Sequence, residues 1–142
     1  TVVELSEGKM TALYEALKSF GEAGYIDQIA IEDAIHHKGE FNFIDGATGI
    51  KIDFWVAKGD AFDDSRLKRR VTKEVLGTNV DFASPEDLIL SKLTWHAKSG
   101  STRHLEDISS VLAVLDGAID LSYLYEWAEK LGHRETLERL IT

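Results

Sequence analysis

The stretch Phe41-Asn42-Phe43-Ile44-Asp45-Gly46-Ala47-Thr48-Gly49-Ile50-Lys51-Ile52-Asp53-Phe54-Trp55-Val56 decides the fold. Two apolar runs flank Gly46-Ala47-Thr48-Gly49, a loop of turn-forming residues, so the stretch reads as a β-hairpin. Side chains along a strand alternate between its two faces. Ile50, Ile52, Phe54 and Val56 therefore form one apolar face, expected on the core, while Lys51, Asp53 and Trp55 point the other way. Aspartate is disfavoured inside strands, so Asp53 needs a local reason. Two readings stand side by side. Either the second face of the sheet is simply wet, or Asp53 belongs to a carboxylate cluster that holds a hard cation such as Mg²⁺.

Working outward, Thr1-Val2-Val3-Glu4-Leu5 reads as a strand already under way at its first residue, which suggests that something upstream has been removed or left out. Ser6 is placed to cap a helix running to about Phe20, with apolar residues at helical spacing and Gly21 and Gly24 after it. A second helix spans about Asp27 to His37, and Gly39 is expected to stop it. Beyond the hairpin come a short basic helix (Phe62 to Arg69) and two weaker strands, Val71 to Leu76 and Val80 to Phe82. Ser84-Pro85-Glu86-Asp87 is a strong helix start: a serine cap, proline in the first turn, then acids near the positive end of the dipole. That helix reaches about Lys98, and others follow from Thr102, from Leu121 to Leu131 after an Asp120 cap, and from Glu135 to Ile141. Strands mixed with helices and then a helical tail predict an α+β fold. One domain over 1–142 is expected, with a sheet-containing part at 1–83 and a helical part at 84–142.

Composition narrows the function. At 44% hydrophobic, the 142 residues can bury a real core. The absence of cysteine excludes disulfides, a thiol nucleophile and Cys-ligated zinc. No apolar run is long enough to cross a bilayer and there is no signal-peptide pattern, so a cytoplasmic protein without a membrane partner is expected. The net charge of −9 argues against broad nucleic-acid binding. Arg66-Leu67-Lys68-Arg69-Arg70 is the one dense basic run and reads as the solvated face of a short helix.

Few residues could carry chemistry. Lys92 stands among Leu88, Ile89, Trp95 and His96 at helical spacing. Its ammonium either snorkels to water or meets a phosphate as a point charge. Arg103 and Asp107 are one helical turn apart, which suits an exposed ion pair. Asp107 also borders the apolar stripe at Ile108, where an acid suits a structural or site role. The five histidines lack a metal-binding spacing, and there is neither a nucleophile elbow nor a Walker phosphate loop.

Taken together, Phe41 to Asp45 with Thr48 to Phe54 resembles the central hairpin of small bacterial nucleotidyltransferase-fold proteins. Ser84 to Trp95, followed by Arg103-His104-Leu105-Glu106-Asp107-Ile108, resembles their helical C-terminal half. The group includes uncharacterised proteins and the nucleotidyltransferase-type toxins of abortive-infection systems. The resemblance covers nearly the whole chain. It implies a mixed or antiparallel sheet with helices on one face, and Mg²⁺-dependent transfer of a nucleoside monophosphate from a nucleoside triphosphate to an acceptor. It makes Asp53 the third metal-binding carboxylate and, with Lys92 and Asp107, catalytic, and it makes Lys92 and Arg103 nucleotide-binding. The phosphate-cradling Gly-Ser helix start and the Asp-x-Asp pair of active members belong just before Val2, and residues 1–142 do not contain them. Transfer by this chain alone is therefore not expected. The alternative is a non-catalytic nucleotide-binding or protein-interaction module, such as a toxin–antitoxin component. An uncovered sheet edge favouring self-association or an antitoxin partner is part of the same expectation.

Overall fold

The computed structural model of the protein describes residues 1–20, 23–115 and 117–141. The fold is α+β, and the chain divides into two compact units, Thr1–Asp63 and Asp64–Thr142.

In the first unit, chain order runs β1 (Val2–Val3), α1 (Glu7–Lys18), β2 (Tyr25–Ile26), α2 (Gln28–His37), β3 (Glu40–Ile44) and β4 (Lys51–Val56). The strands form one mixed sheet in the order β1-β4-β3-β2. β3 and β4 are the antiparallel hairpin expected from the sequence, with Asn42 opposite Asp53 and Phe41 opposite Phe54. The loop closes where Asp45 N–H donates to Ile50 O at 2.9 Å, and the Asp45 carboxylate accepts from Thr48 N–H at 3.0 Å. Gly46 is required by closeness: a Cβ there would stand 2.1 Å from Ala23 O. β1 lies parallel to β4, with Val2 beside Trp55 and Val3 beside Val56.

The apolar face of this sheet packs against α1 and α2. Phe41, Phe43, Phe54 and Val56 are buried with Leu5, Leu17, Ile31, Ala34 and Ile35. The Phe41 and Phe54 rings stack at 4.9 Å. Each such phenylalanine contributes about 1.5–3 kcal/mol of burial. The expected apolar face of β4 is only half covered, however. Phe54 and Val56 are buried, whereas Ile52 is 37% and Ile50 60% exposed. The register is as the alternation predicts, since Ile52 sits opposite the buried Phe43; the helices stop short of the loop end of the strand.

Two helix ends differ from the sequence reading. Asp27, read from the sequence as the first helical residue, is instead the cap of α2, accepting from Ile29 N–H at 2.9 Å. At the other end the left-handed residue is Lys38 (φ 52), not Gly39. Gly39 N–H reaches back to Ala34 O at 3.0 Å and Gly39 O accepts from Val56 N–H at 3.0 Å, so the glycine already belongs to the sheet's hydrogen bonding. Ser6 has the extended backbone of a cap but makes no side-chain capping bond.

α3 (Ala61–Lys68) contains the boundary between the units. The second unit continues with β5 (Val71–Val75), β6 (Thr78–Phe82), α4 (Pro85–Ser99), α5 (Arg103–Leu115), α6 (Leu121–Lys130) and α7 (Arg134–Ile141). β5 and β6 form a separate two-stranded antiparallel sheet. Its turn is Leu76-Gly77, with φ of 51 and 78. Those values suit the turns that match strand twist in short hairpins. The sequence reading put Leu76 in the strand and began the next one later. Ser84 caps α4, accepting from Asp87 N–H at 3.1 Å. α4 packs on α5 and α6, and α7 on both of those. Ile89, Leu90, Leu93, Ile108, Leu124 and Leu137 are almost fully buried between them.

Candidate functional site

Asp53 belongs to the first unit, and Lys92, Arg103 and Asp107 to the second. The Asp53 side chain is on the sheet face opposite the helices, about half exposed, and Lys51 Nζ lies 2.8 Å from its Oδ1. Both residues sit on that face because they are two apart in one strand. The bond to Asp53 raises the Lys51 ammonium above its ordinary pKa. At its start, β1 runs alongside: Thr1 N donates to Asp53 O at 2.7 Å. Among the described residues no group of three His, Asp or Glu side chains is placed to hold a metal. A single carboxylate already paired with an ammonium does not make a Mg²⁺ site, because affinity for hard cations grows with the number of charged oxygens. The residues present here therefore do not fit the metal that the sequence resemblance implies.

Lys92 and Asp107 do meet. Lys92 Nζ donates to Asp107 Oδ2 at 2.5 Å, joining α4 to α5. The lysine side chain is only 16% exposed and the carboxylate 43%. That hydrogen bond holds the Asp107 carboxyl below the usual carboxylate range, with Arg103 and His104 helping through space. Asp107 is thus bonded to the neighbouring helix, while Arg103, one turn back, is exposed. Lys92 Nζ also stands 6.0 Å from the centre of the Trp95 ring. The His104 ring lies 5.9 Å from the Trp95 ring. Its Nδ1 is buried without a hydrogen-bond partner among the described residues. This corner of α4 and α5 combines a charged pair, an indole and an imidazole.

The most heavily bonded polar cluster was not anticipated. Asp87, in the first turn of α4, is 1% exposed. Its carboxylate accepts from Ser84 Oγ at 2.7 Å and from Tyr123 Oη at 2.7 Å. Ser65 Oγ lies 2.8 Å from Tyr123 Oη. The tyrosine's single proton is committed to a carboxylate, so Ser65 is the donor there. Burial pushes the Tyr123 hydroxyl up to about 12. Arg69 lies over the Tyr123 ring, Cζ 3.9 Å from its centre. Its guanidinium donates to Glu86 Oε2 at 3.2 Å and stands 3.8 Å from Asp120 Oδ2. Burial alone would raise the Glu86 carboxyl. The Asp120 backbone N–H, with Ser84 and Arg69, outweighs it and leaves Glu86 below its ordinary value.

The basic run is therefore only in part a solvated face: Lys68 and Arg70 are exposed, whereas Arg69 is not. Arg69 is the centre of a buried network, and Arg70 pairs with Asp81 at 2.8 Å. In the first unit Asp63 has a comparable role. It is 3% exposed and accepts from Gly59 N–H at 3.0 Å and from Lys58 N–H, fixing the approach to α3.

Most polar groups of these clusters are hydrogen-bonded or ion-paired, an arrangement that holds helices in place, while Arg69 Nε and His104 Nδ1 have no hydrogen-bond partner among the described residues. Comparison of the chain with models of known protein families, with curated proteins and with solved structures gives no match.

Proposed function

We propose that this chain is a nucleotidyltransferase-like α+β protein whose residues 1–142 do not by themselves transfer nucleotide. The observation that supports the reading most is the register of β1 on β4. The start of β1 lies against Asp53, with Thr1 N on Asp53 O. That is where the resemblance expects the Asp-x-Asp pair to stand beside its third carboxylate. In complete relatives such a cluster would hold Mg²⁺ between the attacking and leaving oxygens. Here Asp53 is balanced by Lys51, and Lys92 by Asp107, so these three candidate groups already have a counter-charge.

Those two pairings favour the second reading, a non-catalytic nucleotide-binding or protein-interaction module of the toxin–antitoxin kind. Incubation of the chain with labelled nucleoside triphosphates, Mg²⁺ or Mn²⁺, and candidate RNA and protein acceptors tests the proposal. No label transfer is expected. Transfer that disappears in Asp53→Asn would show a complete enzyme. Reading the coding sequence upstream of Thr1 separates the two readings: a Gly-Ser start with Asp-x-Asp favours the enzyme fold, and a native start near Thr1 favours the module.

A further inference from the structure

The hairpin of β5 and β6 has an unusual surface. All ten of its strand residues are exposed. Pairing in register puts Val71, Lys73 and Val75 on one face with Phe82, Val80 and Thr78 opposite them. Four of those six are large and apolar, from 37% exposed at Val80 to 44% at Val71 and Phe82. A two-stranded hairpin is marginally stable by itself and gains from a third strand. Its open edges are templates for one.

The two edges are not equivalent. A two-residue turn makes Val75 and Thr78 a hydrogen-bonded pair, and every second pair after it likewise. The backbone N–H and C=O groups of Thr72 and Glu74 on β5, and of Asn79 and Asp81 on β6, therefore point away from the hairpin. An antiparallel copy of β5 centred on Lys73 sets two ammonium groups directly opposite, and one centred on Glu74 sets two carboxylates opposite, both destabilising. A copy of β6 centred on Val80 avoids such clashes. Asn79 would then exchange both backbone hydrogen bonds with Asp81 of the second copy, and Phe82 would lie beside Thr78 of that copy. No like charges oppose each other, and the Asp81 carboxylate already carries Arg70 at 2.8 Å and Thr72 Oγ1 at 2.5 Å.

We propose that β6 is a self-association edge. Two copies of the chain join through it about a two-fold axis at Val80, making a four-stranded antiparallel sheet in the order β5-β6, then β6-β5 of the second copy. The symmetry closes on itself, so the product is a dimer and not a fibre. Lys73 in the middle of each apolar face opposes stacking of two hairpins face to face, a common protection of exposed strands. The contact is small, so the dimer forms at about micromolar concentrations or above. Each chain carries a net charge of −9, so added salt strengthens the association by screening the repulsion.

The chain has no cysteine, which makes a cross-linking test clean. Paired Val80 positions form a non-hydrogen-bonded pair, whose Cβ atoms are close enough for a disulfide. Val80→Cys should give a covalent dimer quickly under a mild oxidant, whereas Thr78→Cys and Lys73→Cys should not. In sedimentation runs over a concentration series, the unmodified chain should dimerise, more so in high salt. Val80→Lys should abolish dimerisation while leaving the circular dichroism unchanged. Lys73→Val should change the dimer constant less than tenfold. The proposal is overturned if the chain stays monomeric at high concentration and salt, if Val80→Cys cross-links no faster than Thr78→Cys, or if Lys73→Val strengthens association tenfold or more, which would mean face-to-face stacking.

Discussion

Tyr123 Oη donates a 2.7 Å hydrogen bond to Asp87 Oδ1, tying α6 to the first turn of α4. The carboxylate is 1% exposed, so its charge depends on the donors around it. Removing the hydroxyl in Tyr123→Phe should cost about 1.5–3 kcal/mol, the range for a hydrogen bond to a charged group. Asp87→Ala should cost about 3–5 kcal/mol, because it also leaves Arg69 short of counter-charge. Urea titrations of the two variants check both values, and Asp87→Ala losses near those of an ordinary surface change would show that the cluster is incidental.

Lys92 and Asp107 make a weaker join. The carboxylate is well exposed, so water and salt screen the pair. Asp107→Asn should lower the unfolding midpoint by less than Asp87→Asn does. The difference between Asp107→Asn and the parent chain should shrink as salt is added. A salt-independent difference would point to packing instead of charge.

Besides Asp107, whose bond to Lys92 holds its carboxyl low, two less exposed groups contribute to stability on the acid side. Glu86 is held below its ordinary value of 4.5 in the fold. Its contribution is present above that value and is lost as the pH falls through the lower folded pKa. His133 is held below 6.5, chiefly by burial, with Nε2 3.1 Å from Thr94 Oγ1. A depressed histidine likewise contributes above 6.5 and loses its contribution as the pH falls through the folded pKa. Stability should therefore begin to decline just under 6.5 and decline further below 4.5. His133→Asn should flatten the first decline and Glu86→Gln should reduce the second, to which Asp107 also contributes, measured by chemical denaturation across the range.

Tyr123 acts on the alkaline side. Its hydroxyl is raised from 10.0 to about 12 in the fold. Its contribution is full below 10.0 and disappears as the pH rises towards about 12, because the unfolded chain releases the proton first. Absorbance titration should show one tyrosine ionising late, and Tyr123→Phe should remove that late step.

Gly46→Ala tests the loop of the first hairpin. The added Cβ would fall 2.1 Å from Ala23 O, so backbone must shift. A loss of about 1–3 kcal/mol is expected. Gly49→Ala differs in kind: nothing lies near a Cβ there, and the strain comes from its φ of 70 alone.

Local signals were the legible ones. The β3–β4 hairpin, the Ser84 and Asp120 caps and the helical C-terminal half follow from neighbours in sequence, and the structure has them. The meeting of Lys92 with Asp107 was also within reach, because two consecutive amphipathic helices bring their stripe margins together. Arg69 was misread because its partners are distant: Glu86 is 17 residues away, and Asp120 and Tyr123 lie further along the chain. A charge run shows nothing of where the helices bring their acids. Ile52 was misplaced for another reason. Alternation gives the face of a strand, but how far a helix extends over that face is set by tertiary packing.

The division at Asp63 and Asp64 has a consequence for how unfolding is observed. Each unit has its own buried core, so a single two-state transition is not assured. The three tryptophans are distributed to resolve this. Trp55 lies on β4 in the first unit, and Trp95 and Trp127 lie on α4 and α6 in the second. Replacing Trp55, or the other two together, with phenylalanine leaves an emission signal from one unit at a time. Two denaturation curves that superimpose would mean the units melt as one body; two that separate would give each its own free energy.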